Sequence, residues 1–142
     1  DVFSLGVLAY ELLTGTTPFA GRSLRKLAFA EIQRTIREID PPKPSDRIST
    51  LGQQAAVIAT KHGISHAHLQ KATRGDLDWI VMKAMEKDRT RRYGSAQSLA
   101  DDLKRWLHEE PVEARPPSFI YRASKIVRKH RTKVALGIFA LL

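Results

Sequence analysis

The sequence predicts a mainly α-helical chain. Three observations carry that expectation. The N-terminal segment is apolar on nearly every side, two later stretches repeat apolar residues at helical spacing, and no stretch alternates apolar and polar residues as a half-buried strand would.

The first helix is expected over Val2 to Leu13, where Phe3, Leu5, Val7, Leu8, Tyr10, Leu12 and Leu13 leave almost no polar face; such a helix belongs in an interior. Asp1 suits its N-cap, because a carboxylate accepts hydrogen bonds from free backbone N–H groups and sits at the positive end of the helix dipole. Gly15 suits its C-terminal stop. After the turn Thr16-Thr17-Pro18-Phe19, Ser23 can cap a second helix with Leu24, Leu27, Ala28, Ile32, Thr35 and Ile39 as a rough apolar stripe. The run Asp40-Pro41-Pro42-Lys43-Pro44 ends it, since proline lacks the N–H and restricts the residue before it.

Between Ser45 and Arg74 the pattern is weaker. Leu51 to Lys61 reads as a short helix stopped near Gly63, and Ser65 to Thr73 as another. From Asp76 the spacing is cleaner: Leu77, Ile80, Val81, Ala84 and Met85 stand at i, i+3, i+4, i+7 and i+8. Ser95 then caps a helix whose apolar face holds Ala96, Leu99, Ala100, Leu103, Trp106 and Leu107, and Glu110-Pro111 closes that unit. Pro111 to Ser118, with three prolines, reads as an extended connector. Phe119 to Lys133 reads as a basic helix, and Val134 to Leu142 carries no charge.

Composition narrows the function classes. With 42% apolar and 27% charged residues the chain is that of a folded domain rather than a disordered one. There is no cysteine, which removes disulfides, thiolate nucleophiles and thiolate metal sites. Arg122, Lys125, Arg128, Lys129, Arg131 and Lys133 supply six of the formal +9 charges with no acid among them, so the basicity is local. That run could be a solvated face, a nucleic-acid patch or an anchor beside a membrane. The apolar residues after it favour the membrane, whose cytoplasmic side collects Lys and Arg. The nine residues from Val134 cover about half of the roughly 20 needed to cross a bilayer. His62, His66 and His68 invite a metal reading, but 66 and 68 point to different faces of a helix, and surface histidines are the better account.

Two blocks carry a resemblance. Asp1-Val2-Phe3-Ser4-Leu5-Gly6-Val7-Leu8-Ala9-Tyr10-Glu11-Leu12-Leu13-Thr14-Gly15, followed by Thr17-Pro18-Phe19, resembles the central buried helix of protein kinases. Lys83 to Tyr93 is similar to the kinase segment that joins the last two helices of the large lobe, with Arg89 in place of the family's proline but with Asp88 and Arg92 at the family spacing. Together they cover about Asp1 to Leu107. With its basic linker and apolar final residues, the chain is similar to membrane-anchored bacterial serine/threonine kinases of the eukaryotic-like (Hanks) type.

The resemblance implies a division into residues 1–109 as the helical C-terminal part of the kinase large lobe, 110–133 as a proline-containing linker and basic juxtamembrane segment, and 134–142 as the start of a transmembrane helix. The chain is then a piece of a longer protein. Its parent would transfer phosphate from ATP, with magnesium, to serine or threonine of protein substrates. The parent would sit in the cytoplasmic membrane as a single-pass protein, the kinase domain on the cytoplasmic side, touching anionic lipid through Arg122 to Lys133, with no nucleic acid expected and with room for a dimer.

The resemblance also assigns roles residue by residue. Asp1 matches the aspartate that holds the backbone of the catalytic loop. Leu8 and Leu12 match positions at the base of the apolar stack beneath the adenine ring, and Arg92 the arginine that pairs with the glutamate closing the activation segment. Glu11 lies where some kinases meet a basic substrate residue. No G-x-G-x-x-G, H-R-D or D-F-G occurs, so no catalytic, cofactor-binding or metal-ligating residue is expected in these 142 positions. Much of the helix Val2 to Leu13 should then lack cover. Two rival readings stand beside this one: a pseudokinase that only scaffolds, and a small basic helical module that binds nucleic acid through Arg122 to Lys133.

Overall fold

The computed structural model describes residues 1–19 and 28–141. Among these there are nine helices and no strand: α1 (Val2–Thr14), α2 (Phe29–Glu38), α3 (Pro44–Thr50), α4 (Gln53–Lys61), α5 (His66–Thr73), α6 (Asp76–Ala84), α7 (Ala96–Leu107), α8 (Phe119–Lys129) and α9 (Arg131–Leu141). The mainly helical class expected from the sequence is the class observed.

α6 is the axis of the fold. Its Ile80 and Ala84 join Tyr93, Leu99, Val112 and Tyr121 in one core cluster. Val81 on the adjoining face, with Met85 just beyond the helix, packs with Tyr10 of α1 in another. The five apolar positions read from the sequence at i, i+3, i+4, i+7 and i+8 are all buried. A third cluster, Ile48, Ala55, Ala59 and Leu69, closes α3, α4 and α5 on one another.

α1 meets α6 at Gly6, where a Cβ would lie 2.8 Å from Met85 Cγ and 2.9 Å from Ala84 Cβ. Only a residue without a side chain permits that approach. Gly15 ends α1 in the left-handed region at φ 67°, its N–H donating to the Glu11 carbonyl, as the sequence predicts for a glycine stop. The Tyr10 hydroxyl donates to the Pro42 carbonyl at 2.9 Å, and burial pushes its pKa up.

α1 is not enclosed on all sides. Gly6, Tyr10 and Thr14 are buried, but Leu5, Leu8 and Leu12 are 39, 52 and 61% exposed. Their spacing of three and four residues places all three on one side of the helix.

The second expected helix is described only from Ala28 onward. Ser23, Leu24 and Leu27 lie outside the described residues, and α2 begins at Phe29 without a side-chain cap. The proline run ends α2, but its last member does something the sequence reading missed: Pro44 is the first residue of α3, where its missing N–H costs nothing. Asp78 of α6 accepts from the Ser45 backbone N–H at 3.0 Å and from the Ser45 hydroxyl, tying the start of α3 to the axis. α5 begins where expected, with the Ser65 hydroxyl accepting from His68 N–H.

Ser95 caps α7, accepting from Ser98 N–H at 3.1 Å. Leu99, Leu103 and Trp106 face the core as expected, whereas Ala96 and Leu107, from the same expected face, are exposed. The core does not stop at Pro111. Val112 and Tyr121 belong to the same cluster as Ile80 and Leu99, so residues 110–121 run over α6 and α7 as a packed strap. The basic helix is broken at His130 into α8 and α9. α9 has 11 residues, about 16 Å of helix. Among the described residues no helix is long and apolar enough to cross a membrane.

Candidate functional site

The sequence-predicted site residues fall on two neighbouring surfaces. Asp1 caps α1, its Oδ1 accepting from Phe3 N–H at 3.0 Å. Arg92 reaches the same place from the turn after α6, where Lys87 and the α2 residues Gln33, Ile36 and Arg37 complete a cleft of about 370 Å³. Asp1 and Arg92 are 91 positions apart in sequence and share one cleft because α1 lies against α6.

The Arg92 guanidinium is held from behind. Its Nε donates to the Glu86 carbonyl at 3.0 Å and its Nη2 to the Lys87 carbonyl at 3.4 Å, while the Phe3 ring centroid lies 5.3 Å away. Two backbone acceptors and an aromatic face fix a planar fork with donors to spare. Among the described residues no carboxylate pairs with it. Asp88 shapes the turn that presents Arg92: its carboxylate accepts from Thr90 N–H and Thr90 hydroxyl, which hold its pKa below the usual range, and its carbonyl accepts from Arg91 and Arg92 N–H. Arg89 in place of proline leaves this turn closed. Lys87 in the same cleft donates to the Ile36 carbonyl and faces the Phe19 ring at 4.8 Å, and partial burial lowers its pKa.

Leu8 and Leu12 lie on the second surface. With Leu5 and Ala9 they form one wall of an apolar groove of about 220 Å³, whose other wall is Ala96, Leu99, Ala100 and Leu103 of α7. The groove offers shape and apolar area and almost no polar atoms, so it can seat a side chain or a helix but not a charged ligand. Glu11 stands beside it, half-buried, in no ion pair among the described residues. The expected set therefore divides: Asp1 and Arg92 are brought together, Leu8 and Leu12 are brought together, and Glu11 joins neither pair.

The histidines are dispersed. His62 Nε2 lies 2.7 Å from the Leu12 carbonyl, joining the end of α4 to the end of α1. His66 is half-buried with Nε2 unpartnered, and His68 is exposed. Among the described residues no three His, Asp or Glu side chains gather as a metal site would require.

Three buried carboxylates, Asp76, Asp78 and Asp102, went unremarked in the sequence. Asp102 of α7 is fully buried and accepts four hydrogen bonds: from Tyr93 hydroxyl at 2.6 Å, Glu113 N–H at 2.7 Å, Ala114 N–H at 2.8 Å and Arg105 Nη1 at 2.8 Å. Burial pushes its pKa up, but the four donors outweigh that and hold it below the usual carboxylate range. Burial of the ring and the same contact push the Tyr93 hydroxyl far up. Asp76, in the first turn of α6, pairs with Lys125 of α8 and, at 3.4 Å, with Arg115 of the strap. A signal was present for Asp102: it stands at i+3 from Leu99 and i−4 from Trp106, on the apolar stripe of α7, where an acid needs a partner.

Lys125 stands apart from the rest of the basic run. It is buried, and only the other cations of Arg122 to Lys133 look outward. The charge is drawn inward because Asp76, itself buried, needs a cation beside it. Next to this pair, Lys71, Arg74, Arg128 and Arg131 line an open basic cleft of about 800 Å³ between α5, α6 and α8.

No protein-family model matches the chain, and no solved structure matches it. Curated proteins do. The serine/threonine-protein kinase PknB of Mycobacterium tuberculosis is 34% identical over 114 residues, which is 80% of this chain and 14% of that protein. The probable serine/threonine-protein kinase PknB of Corynebacterium glutamicum is 32% identical over 105 residues, 74% of this chain and 13% of that protein. A probable serine/threonine-protein kinase of Clostridium perfringens is 30% identical over 105 residues, covering 11% of that protein. The chain spans about one-seventh of the length of the first of these relatives. Over some four-fifths of its length, this is a kinase-related region.

Proposed function

We propose that the chain is the helical floor of the large lobe of a serine/threonine protein kinase. The parent enzyme transfers the γ-phosphate of ATP, with magnesium, to serine or threonine hydroxyls of protein substrates. In that enzyme Asp1 holds the catalytic-loop backbone, Arg92 pairs with the glutamate that closes the activation segment, and Leu8 and Leu12 seat the apolar stack below the adenine. Glu11 borders the substrate. The basic helices at the other end lie at the cytoplasmic face of a membrane, where their cations meet anionic lipid.

The observation that carries this reading is the state of α1. The helix has a full apolar complement, yet its Leu5, Leu8 and Leu12 face is open, and at one end of it Arg92 is held rigid with donors unused. Apolar area of that extent and a pre-set arginine fork are what a supporting element presents to the part it supports. The likeness to serine/threonine-protein kinases supports reading that part as the rest of a kinase large lobe.

The test is made in the parent enzyme. Arg92→Lys keeps the charge and loses the fork, so phosphoryl transfer to a serine peptide should fall at least about tenfold, the equivalent of about 1.4 kcal/mol. Nucleotide binding should persist. Full activity in that variant, or an upstream sequence without an activation segment, overturns the reading.

A further inference from the structure

α8 is inside out for a helix packed on a protein. At about 100° per residue, Tyr121 and Lys125 fall on one side, and this is the side turned to the core. Tyr121 hydroxyl accepts from Val112 N–H at 2.9 Å, the Arg115 guanidinium stacks 4.5 Å from the Tyr121 ring centroid, and Lys125 pairs with Asp76. The polar anchor points in. Phe119, Ile120, Ile126 and Val127 fall on the opposite side, 88, 81, 60 and 50% exposed. Four large apolar side chains on about 16 Å of helix are a strip that water disfavours and that the protein leaves uncovered.

The surroundings of the strip say what covers it. Arg122 and Lys129 flank one edge and Arg128 the other; Lys129 pairs with Glu110 and Arg128 lies 3.8 Å from Glu109, and between Ser118 and Leu142 itself there is no Asp or Glu, so the segment stays net positive. A second copy of the chain laid on this face would bring both sets of cations together, so self-association is opposed by charge. An anionic bilayer surface answers both features, since its acyl boundary accepts the apolar strip and its headgroups accept the cations. Beyond His130, α9 also exposes large apolar side chains, Leu136, Ile138 and Phe139.

We infer that α8 is an interfacial helix: its Phe119, Ile120, Ile126 and Val127 face lies in the headgroup and acyl boundary of an anionic membrane, while Tyr121 and Lys125 clamp the other face to α6. The inference rests on the membrane location proposed above and adds to it. A flexible tether would leave the helical domain free to tumble, whereas α8 clamped on one side and immersed on the other fixes the domain's tilt against the bilayer.

The chain has no cysteine, so one introduced thiol can be labelled alone. Ile126→Cys, Phe139→Cys and the exposed α7 control Lys104→Cys, each carrying an environment-sensitive thiol dye, are titrated with vesicles of phosphatidylcholine alone and with a quarter phosphatidylglycerol. The inference expects a blue shift at positions 126 and 139 with the anionic vesicles and none at 104. It expects Ile126→Ser combined with Val127→Ser to weaken vesicle binding at least about tenfold while leaving the far-UV dichroism unchanged. A shift at 139 with none at 126 overturns the interfacial helix and keeps the membrane location. No shift at either overturns both. A shift at 126 that grows with protein concentration in the absence of lipid assigns the strip to a second copy and overturns the inference as well.

Discussion

The strap side of the molecule and the outer face of α1 end in opposite states. Around α7, residues 110–121 bring every buried polar group to a partner: Asp102 has four donors, Asp76 has two cations, and Val112 N–H has the Tyr121 hydroxyl. On α1, the apolar side chains of Leu5, Leu8 and Leu12 are exposed, with none of the described residues covering them. The difference teaches which part is self-sufficient. The α6–α7–strap region closes its own core, while the outer face of α1 stays exposed.

The sharpest way to break the finished side is Asp102→Ala. It leaves the Tyr93 hydroxyl, two strap N–H groups and Arg105 without their acceptor in a fully buried site, and about 3–5 kcal/mol of stability should go. Denaturant unfolding would register it as a lower midpoint, with the strap amides at 113 and 114 losing hydrogen-exchange protection first. Retained protection there would mean the strap is held by its apolar contacts alone.

Acid should loosen the same contact without a mutation. The folded-state pKa of Asp102 lies below its unfolded value near 4, so its contribution is complete above about pH 4 and is lost as pH falls through the lower, folded value. Stability measured from pH 7 down to pH 2 should therefore hold and then drop below about pH 4. The Asp102→Ala chain should show a shallower drop, and equal slopes in both would assign the acid sensitivity to other groups.

Tyr121→Phe is smaller. The ring stays, and with it the packing on Ile80 and the Arg115 stacking, but Val112 N–H loses its acceptor in the core, for about 1 kcal/mol. Thermal melting should shift down by a few degrees.

How much of this could be read in advance follows the same divide. α6 and α7 were legible because apolar spacing and a serine cap are local signals: α6 buries all five residues that the spacing picked out, and α7 buries Leu99, half-buries Ala100, Leu103 and Trp106, and exposes Ala96 and Leu107. Leu107 escaped, standing at the edge of the α7 stripe and on its last helical residue. α3 escaped because Pro44 was taken only as a stop, although proline also starts helices. The strap was illegible for a deeper reason: Pro111 to Ser118 looks like a connector in composition, and what packs it down is Asp102, eleven residues before Glu113, and Asp76, across α6. Lys125 hid in a run of like charges, where nothing local tells the one that turns inward from those that face out. On the site itself, Asp1 and Arg92 were named from a resemblance, and their shared cleft depends on Gly6 letting α1 close on α6.

The smallest expected effect carries the most about α1. Leu12 is 61% exposed, and replacing it with serine removes apolar area that this chain leaves in water. Surface changes of that kind fall within about 0.5 kcal/mol, so Leu12→Ser should leave the melting of the 142-residue chain where it was. In a parent where another element covers the groove, the same substitution places a hydroxyl against the Leu8 and Leu103 walls and deletes a buried leucine, which costs about 2–5 kcal/mol. The pair of measurements decides the matter where either alone would not. Neutral in the chain and costly in the parent means that the open face of α1 is half of an interface; neutral in both means that the groove stays open, and the self-sufficient region is then all that the fold requires.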